Sequence, residues 1–567
     1  VQRASTAVLD EAIGFDESAT SALELDVRER TALRPVARIA ILFGLFGLAT
    51  LWFSLIAAHV IAGTADTATV VLEGQTMNAG SWALHGWSLS LDSFWSIDAV
   101  FYAIVIRLAG LGPWLFHVVP ALLVALLVAS ALWCATRGLD RRAAAIASVV
   151  VVSLLAMPSP DFAYFLLNGP WHIGTTAFCL VAFVGVSGGR FGAPWCVAVL
   201  ALALGLLGDL MTLGFGFLPI GIAGLLAIAR ERNWRAGAWN LTALVASVAL
   251  AVVIRAIATA AGTFTLTNRN LPIRSSQIST NLAHLPARVA AFLGVGRISI
   301  PPATGVRIDN GPAWLEAVHV LGVAVVVIGV LVGLYNLARA LFRPRRDARG
   351  WRIDDVLLIA LIADLAIFVV AVPDNAVEFS KYLIAGTVFG MTLGARVIAR
   401  GLARIRSARV AFGCGVASLA IVAGFAGDAG SAFAAPTPVQ PAAALGHFLL
   451  GHHLTSGIGD YWSSSLVTVE TGDKVRVRPI DTTGGTKIVR FARLSSADWY
   501  AGRRFQFLVY DSARPWHHVN EQSATATFGP PTHVYQVGTY RILRWSRPIT
   551  VSSVIPEVGS PLRLFWR

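Results

Sequence analysis

The chain has 567 residues, of which 56% are hydrophobic and 14% charged. That is more apolar surface than a soluble core can enclose, so the composition excludes an ordinary soluble enzyme and indicates an α-helical polytopic membrane protein. The net charge of +13 does not point to a nucleic-acid partner, because the arginines fall in short clusters between apolar runs, as in the cytoplasmic loops of membrane proteins.

Residues 1–35 are polar, show no cleavable leader and are expected to form a cytoplasmic tail. Apolar runs long enough to cross a bilayer follow at about 38–62, 115–136, 143–160, 172–188, 193–208, 211–229, 238–261, 314–338, 353–373, 381–399 and 410–434. They predict about eleven transmembrane helices in a membrane domain over 36–435. Within 193–229 only Gly208-Asp209 breaks the run, which reads as a tight hairpin or as one interrupted helix. Basic clusters such as Arg137/Arg141/Arg142 and Arg396/Arg400/Arg404 occupy alternate connections. Those connections should be cytoplasmic, leaving the loops 63–114 and 262–313 and the carboxyl terminus outside. The 262–313 loop carries five arginines of its own, and long loops follow the charge rule poorly.

After the linker AAPTPVQPAAA, residues 436–567 predict a small extracytoplasmic β or α+β domain. The runs SSLVTVET, KVRVRPI, TKIVRFA, RFQFLVYD, HVYQVG and YRILRW have strand character and are separated by Gly, Pro, Asp and Asn. Cys134, Cys179, Cys196 and Cys414 lie in apolar segments without metal-ligand spacing and read as small buried hydrophobes.

Charge in or beside a membrane span is costly and needs a reason. The expected outward-facing set is Asp92, Asp98, Asp161, His172, Asp209, Arg255, Asp374, Glu378 and Lys381. Asp92 and Asp98 stand in WSLSLDSFWSIDAVFY, an aromatic-rich stretch that predicts an interfacial amphipathic helix from Leu91 to Leu108. On one helix the two acids would not share a face, whereas Tyr102 would share that of Asp98. Each acid also has a plain alternative, with Asp92 as a helix cap and Asp98 solvated. Asp161 and His172 bracket FAYFLLNGPW, either as interfacial caps or as a substrate-binding polar cluster. Arg255 either snorkels to the interface or holds a phosphate, for which guanidinium is well shaped. Glu378 and Lys381 are spaced for a local ion pair, and Lys381 is a second phosphate candidate. Asp364, mid-span, has no evident partner. No Walker loop, Rossmann fingerprint, HExxH or GxSxG occurs, so nothing indicates a nucleotide or redox cofactor.

These features resemble the GT-C-type polytopic membrane glycosyltransferases, in particular their bacterial members. SLDSFWSIDAVFY occupies the first outer loop, where that superfamily carries an acidic residue on an amphipathic helix. EFSKYLIAG is similar to its RYL-P stretch, with Lys381 for the usual arginine and Ala385 where proline often stands. GIGDYWSSS resembles the GYxxYW start of the outer domain, and ATFGPPTHVYQVGTYRILRW resembles the closing strands. The paired acid usual in the first loop is absent. The resemblance implies sugar transfer from a polyprenyl-phosphate donor to an envelope glycan, lipid or protein acceptor at the outer face of a bacterial plasma membrane. It implies inverting displacement, with Asp92 or Asp98 as base, Arg255 and Lys381 on the donor phosphate, and Asp161, His172, Asp209, Glu378 and Tyr102 around sugar and acceptor. Acids on one face would permit a divalent metal ion. Two other readings fit the same residues: a transporter or flippase of a lipid-linked saccharide, and a non-catalytic envelope-assembly protein.

Overall fold

Inside hydrocarbon a backbone must satisfy its own hydrogen bonds, and the apolar runs accordingly form helices. A computed structural model describes residues 17–229, 234–267, 275–296, 298, 313–342, 353–372, 377–405, 407–434, 436–514 and 516–553. Asp374 lies outside the described residues. Helix α1 (Glu17–Val60) starts well within the expected tail, and its apolar stretch begins at Ile39. Residues 1–49 form one unit of the chain and residues 50–567 the other. All that follows concerns the second.

The segment after α1 forms α2 (Ala65–Asn78), β1 (Trp87–Leu89), a π-helical turn (Trp95–Ala99) and α3 (Val100–Ala109). Next come α4 (Leu115–Thr136) and α5 (Arg141–Val151), the latter running to Ala156 and then bending by 81° into α6 (Pro160–Leu167). The expected single run 143–160 is therefore broken, at the segment Met157-Pro158-Ser159, where Pro cannot continue a helix. Helices α7 (Ile173–Val186), α8 (Ala193–Gly208) and α9 (Leu218–Ala229) are short and apolar. Of the two alternatives for 193–229 the structure takes the hairpin, with Thr212 N donating to Asp209 O across the turn. Then follow α10 (Trp234–Ala260), β2 (Thr265–Leu266), α11 (Ser275–Phe292), α12 (Ala313–Phe342) and α13 (Ile353–Ala371). A 3-10 turn (Val377–Leu383) leads into α14 (Ile384–Ala403), and α15 (Ala408–Ala434) follows. Six helices among the described residues are long and apolar enough to cross a membrane. Large apolar side chains such as Ile257, Leu331 and Phe412 are exposed on them, as lipid-facing residues are. The chain is a polytopic membrane protein.

Some of the charges buried among these helices are paired. Arg396 Nε donates to Asp354 at 2.5 Å, and its Nη1 donates to the carbonyls of Cys134, Ala135 and Arg137 at 2.7–2.9 Å, while Arg400 completes the pair with Asp354. One guanidinium thus caps the end of α4 and neutralises a buried acid. Asp364 accepts from Gly386 N at 3.0 Å, and a side chain at Gly386 would collide with that carboxyl. All four cysteines are free; Cys134 and Cys179 are buried, but Cys196 is exposed, contrary to expectation.

The carboxyl-terminal part is α+β: α16 (Pro441–Gly451), β3 (Ser456–Gly459), α17 (Tyr461–Glu470), β4 (Arg476–Thr483), β5 (Lys487–Arg490), β6 (Ser495–Ser496), β7 (Phe505–Asp511), α18 (Glu521–Phe528), β8 (His533–Val537) and β9 (Tyr540–Ile549). Six strands form a mixed sheet in the order β5-β4-β3-β7-β9-β8 around Ile458, Ile480, Leu508 and Leu543. Most of the expected strands are present. SSLVTVET is not one of them: it lies in α17. Asp460 caps that helix by accepting from Ser463 N, and nearly every residue of the helix is buried, so tertiary packing overrides the β-branched composition. A second sheet joins distant parts of the chain: β1 pairs in parallel with β2 and antiparallel with β6.

Candidate functional site

The site is built where the first loop meets the turn after α8. A helix ends with carbonyls that lack partners. At the end of α8, Gly208 O accepts from Phe94 N at 2.7 Å, and Leu204 O accepts from Ser96 Oγ at 2.6 Å. Phe94 takes a left-handed conformation (φ 52°) to open the π-helical turn. A Cβ at Gly208 would lie 2.6 Å from Ile97 and 2.9 Å from the Ser96 hydroxyl, so only glycine permits this approach.

Asp209 follows directly and is fully buried. Its Oδ2 accepts from His172 Nδ1 at 2.6 Å and from Thr175 Oγ1 at 2.5 Å, and its Oδ1 accepts from Met211 N at 2.9 Å. His172 is buried at the start of α7 with a left-handed backbone (φ 66°). Its ring lies 5.1 Å from that of Tyr382 and 5.7 Å from that of Phe94.

Two acids face this centre. Asp92 precedes the π turn and is partly exposed. Burial, and then the nearby negative charge of Asp209, push its carboxyl up to about 6, opposed by His172 and Lys381. Asp98, within the turn, is buried and is pushed up to about 8, again by burial first and Asp209 second. The two acids were expected on different faces of one helix. They do not share a continuous α-helix, because the left-handed Phe94 separates them, and both come under the field of Asp209. Nor does Asp92 cap the helix: Phe94 holds that position.

Lys381, at the 3-10 turn before α14, stands 5.5 Å over the Trp171 ring and 5.7 Å from that of Tyr382. The first loop, the α6–α7 connection, the α8–α9 hairpin and the start of α14 thus bring together Asp92, Asp98, His172, Asp209 and Lys381. Tyr102 is buried beside Asp98, as its spacing predicts. The other candidates sit elsewhere. Arg255 donates to Phe264 O at 3.2 Å and covers the Phe264 ring at 4.4 Å. Asp161 is buried in α6 and accepts from Ile298 N at 3.4 Å. Glu378 is exposed, facing Tyr164 and Arg288, and no ion pair joins it to Lys381 among the described residues.

Sequence reasoning missed three contributors. Glu73 of α2 is fully buried beside Asp98, and burial raises its carboxyl well above the usual range. Among the described residues neither its oxygens nor those of Asp98 nor Tyr102 Oη makes a hydrogen bond. Tyr382 was passed over as part of a motif match. Arg493, from the carboxyl-terminal domain, lies near both Tyr382 and Tyr461, and Tyr461 Oη donates to Asp66 at 2.5 Å. An isolated acid in an apolar loop helix was the only local sign of Glu73.

Among the described residues no group of three or more His, Cys, Asp or Glu side chains is placed to hold a metal ion, and Asp209 already accepts from three donors.

No protein-family model and no curated protein matches the chain. Among solved structures, ArnT from Cupriavidus metallidurans in the apo state is similar with a TM-score of 0.52 at 13% identity, covering 90% of this chain and 98% of that one. ArnT bound to undecaprenyl phosphate gives 0.49 at 14% identity, covering 88% and 97%. The Archaeoglobus fulgidus oligosaccharyltransferase in complex with Zn and sulfate gives 0.46 at 14%, covering 88% and 72%. The fold is similar to that of apo ArnT over nearly the full length of both chains.

Proposed function

We propose that the chain is a membrane glycosyltransferase that moves a sugar from a polyprenyl-phosphate donor to a hydroxyl of a cell-envelope acceptor, at the outer face of the membrane. The carrying observation is the gathering of Asp92, His172, Asp209 and Lys381 at one centre, with Asp92 the acid that remains partly open to solvent. The motif resemblance and the GT-C-type fold support the same reading.

Asp92 is the base. A carboxylate tuned to about 6 is ionised at neutral pH yet basic enough to accept a proton. The acceptor hydroxyl oxygen attacks the anomeric carbon as its proton passes to Asp92. The bond from that carbon to the phosphate oxygen breaks, and the electron pair leaves with the phosphate. The monoanionic diester becomes a dianionic lipid phosphate while Asp92 becomes neutral, so charge balances. Direct displacement inverts the anomeric centre. Lys381 offsets the growing phosphate charge, and its lodging over Trp171 keeps the ammonium aimed. Asp209 holds His172 and Thr175 in place beside the sugar and acceptor. Asp98 sits deeper and acts behind Asp92.

Asp92→Asn, tested with a labelled polyprenyl-phosphate sugar and total envelope acceptor, should lower transfer by about 10²–10⁴-fold while the donor still binds. Transfer at the wild-type rate would remove Asp92 as base. Normal transfer together with lost carrier export would favour the flippase instead.

A further inference from the structure

Away from this centre, the carboxyl-terminal domain carries a cavity of about 380 Å³ beside the amino-terminal ends of β3 and β4. Its wall is cationic: Lys474, Arg476, Arg478 and Arg503 line it, against Asp473 and Asp498. Asp473 is taken by Arg476, with contacts of 2.7 and 3.1 Å, and its charge also reaches Arg478, while Asp498 lines the cavity without an ion pair among the described residues. Lys474, Arg478 and Arg503 have no carboxylate within ion-pairing distance among the described residues. Arg478 is recessed, with its guanidinium 4.4 Å over the Trp499 ring. Burial pulls it down to about 10, yet it stays cationic at neutral pH. Four cations against two carboxylates leave the hollow with an excess of positive charge, and an anion would relieve that repulsion.

We propose that this cavity binds the anionic group, phosphate or carboxylate, of a saccharide. Arginine forks match both groups, and the volume falls in the range that encloses a small ligand. The shape separates this from a membrane-surface patch: bilayer-binding cations stand out in the open, whereas Arg478 is set back against an aromatic wall. The location suits an acceptor. Trp499 packs edge-on against Trp87 at 4.8 Å, and Trp87 begins β1, just ahead of Asp92 in the chain. That the saccharide is the acceptor rests on the transferase reading; that the cavity takes an anion does not.

The test uses the full chain in nanodiscs of uncharged lipid, with glucose 6-phosphate and glucuronate as probes and glucose as the neutral control, read by calorimetry. Saturable binding of the anionic sugars, weakened about tenfold or more in Lys474→Gln/Arg503→Gln, supports the proposal. Both substituted residues are exposed, so the fold should survive; Arg478→Gln is the stronger second variant. Equal binding of glucose, no binding, or binding unaffected by both variants overturns it. So does affinity for phosphatidylglycerol vesicles without affinity for the sugars. Anion binding by a chain that transfers no sugar in any assay supports the cavity and overturns only the transferase reading.

Discussion

His172 Nδ1 lies 2.6 Å from Asp209 Oδ2, so one buried contact locks the start of α7 to the end of α8 at the centre that Asp92 and Asp98 both face. Asp209→Asn keeps the shape but removes the charge from an acceptor serving three donors. Charge-assisted hydrogen bonds are worth about 1.5–3 kcal/mol each. We expect a lower thermal midpoint in detergent and reduced sugar transfer. An unchanged midpoint would show that Asp209 holds nothing in place.

The carboxyl of Asp92 is raised to about 6, so its reactive ionised form disappears below that pH. The transfer rate should fall about tenfold per pH unit on the acid side, with the break near 6. A break near the ordinary aspartate value would mean that neither burial nor Asp209 raises Asp92, or that another group is the base.

Asp98 gives a stability signature of opposite use. Its folded-state value of about 8 lies above the ordinary 3.8, so the protonated form is the favoured one in the fold. The contribution is complete below about 3.8 and is lost as pH rises through about 8. Wild type should lose thermal stability between about pH 4 and 8 relative to Asp98→Asn, and the difference should level off above 8. Parallel curves for the two proteins would contradict the buried, raised acid.

Gly208→Ala should be harmful out of proportion to one methyl group. The added carbon meets Ile97 and the Ser96 hydroxyl, and it pushes the π turn away from the α8 carbonyls. Overpacking of this kind costs about 1–3 kcal/mol. Transfer should fall with stability, whereas Gly401→Ala, with open space around its position, should change neither.

The membrane architecture was legible because hydrocarbon imposes one rule, and apolar runs broken by arginines obey it. Asp92, His172, Asp209 and Lys381 stood out as scarce charges beside spans. Their meeting point was not legible, because it depends on Gly208 receiving Phe94 across more than a hundred residues of chain. Glu73 escaped notice for the same reason: TVVLEGQ marks it only as an acid in an apolar stretch, and the packing of α2 on α3 sets it beside Asp98. The failure at SSLVTVET is of another kind. Its valines and threonines favour strand, but Asp460 caps a helix that packs against α2 through Tyr461–Asp66 and Ser465–Thr69 contacts.

The three-stranded sheet has an implication for biosynthesis. Trp87 and Ser88 find one of their two neighbouring strands only at Ser495–Ser496, some four hundred residues downstream. During synthesis the loop bearing Asp92 therefore waits, with one edge unzipped, until Ser495–Ser496 has emerged. Such delayed closure leaves a nascent chain open to mispairing. Truncations ahead of Ser495 should accordingly yield inserted protein that transfers no sugar.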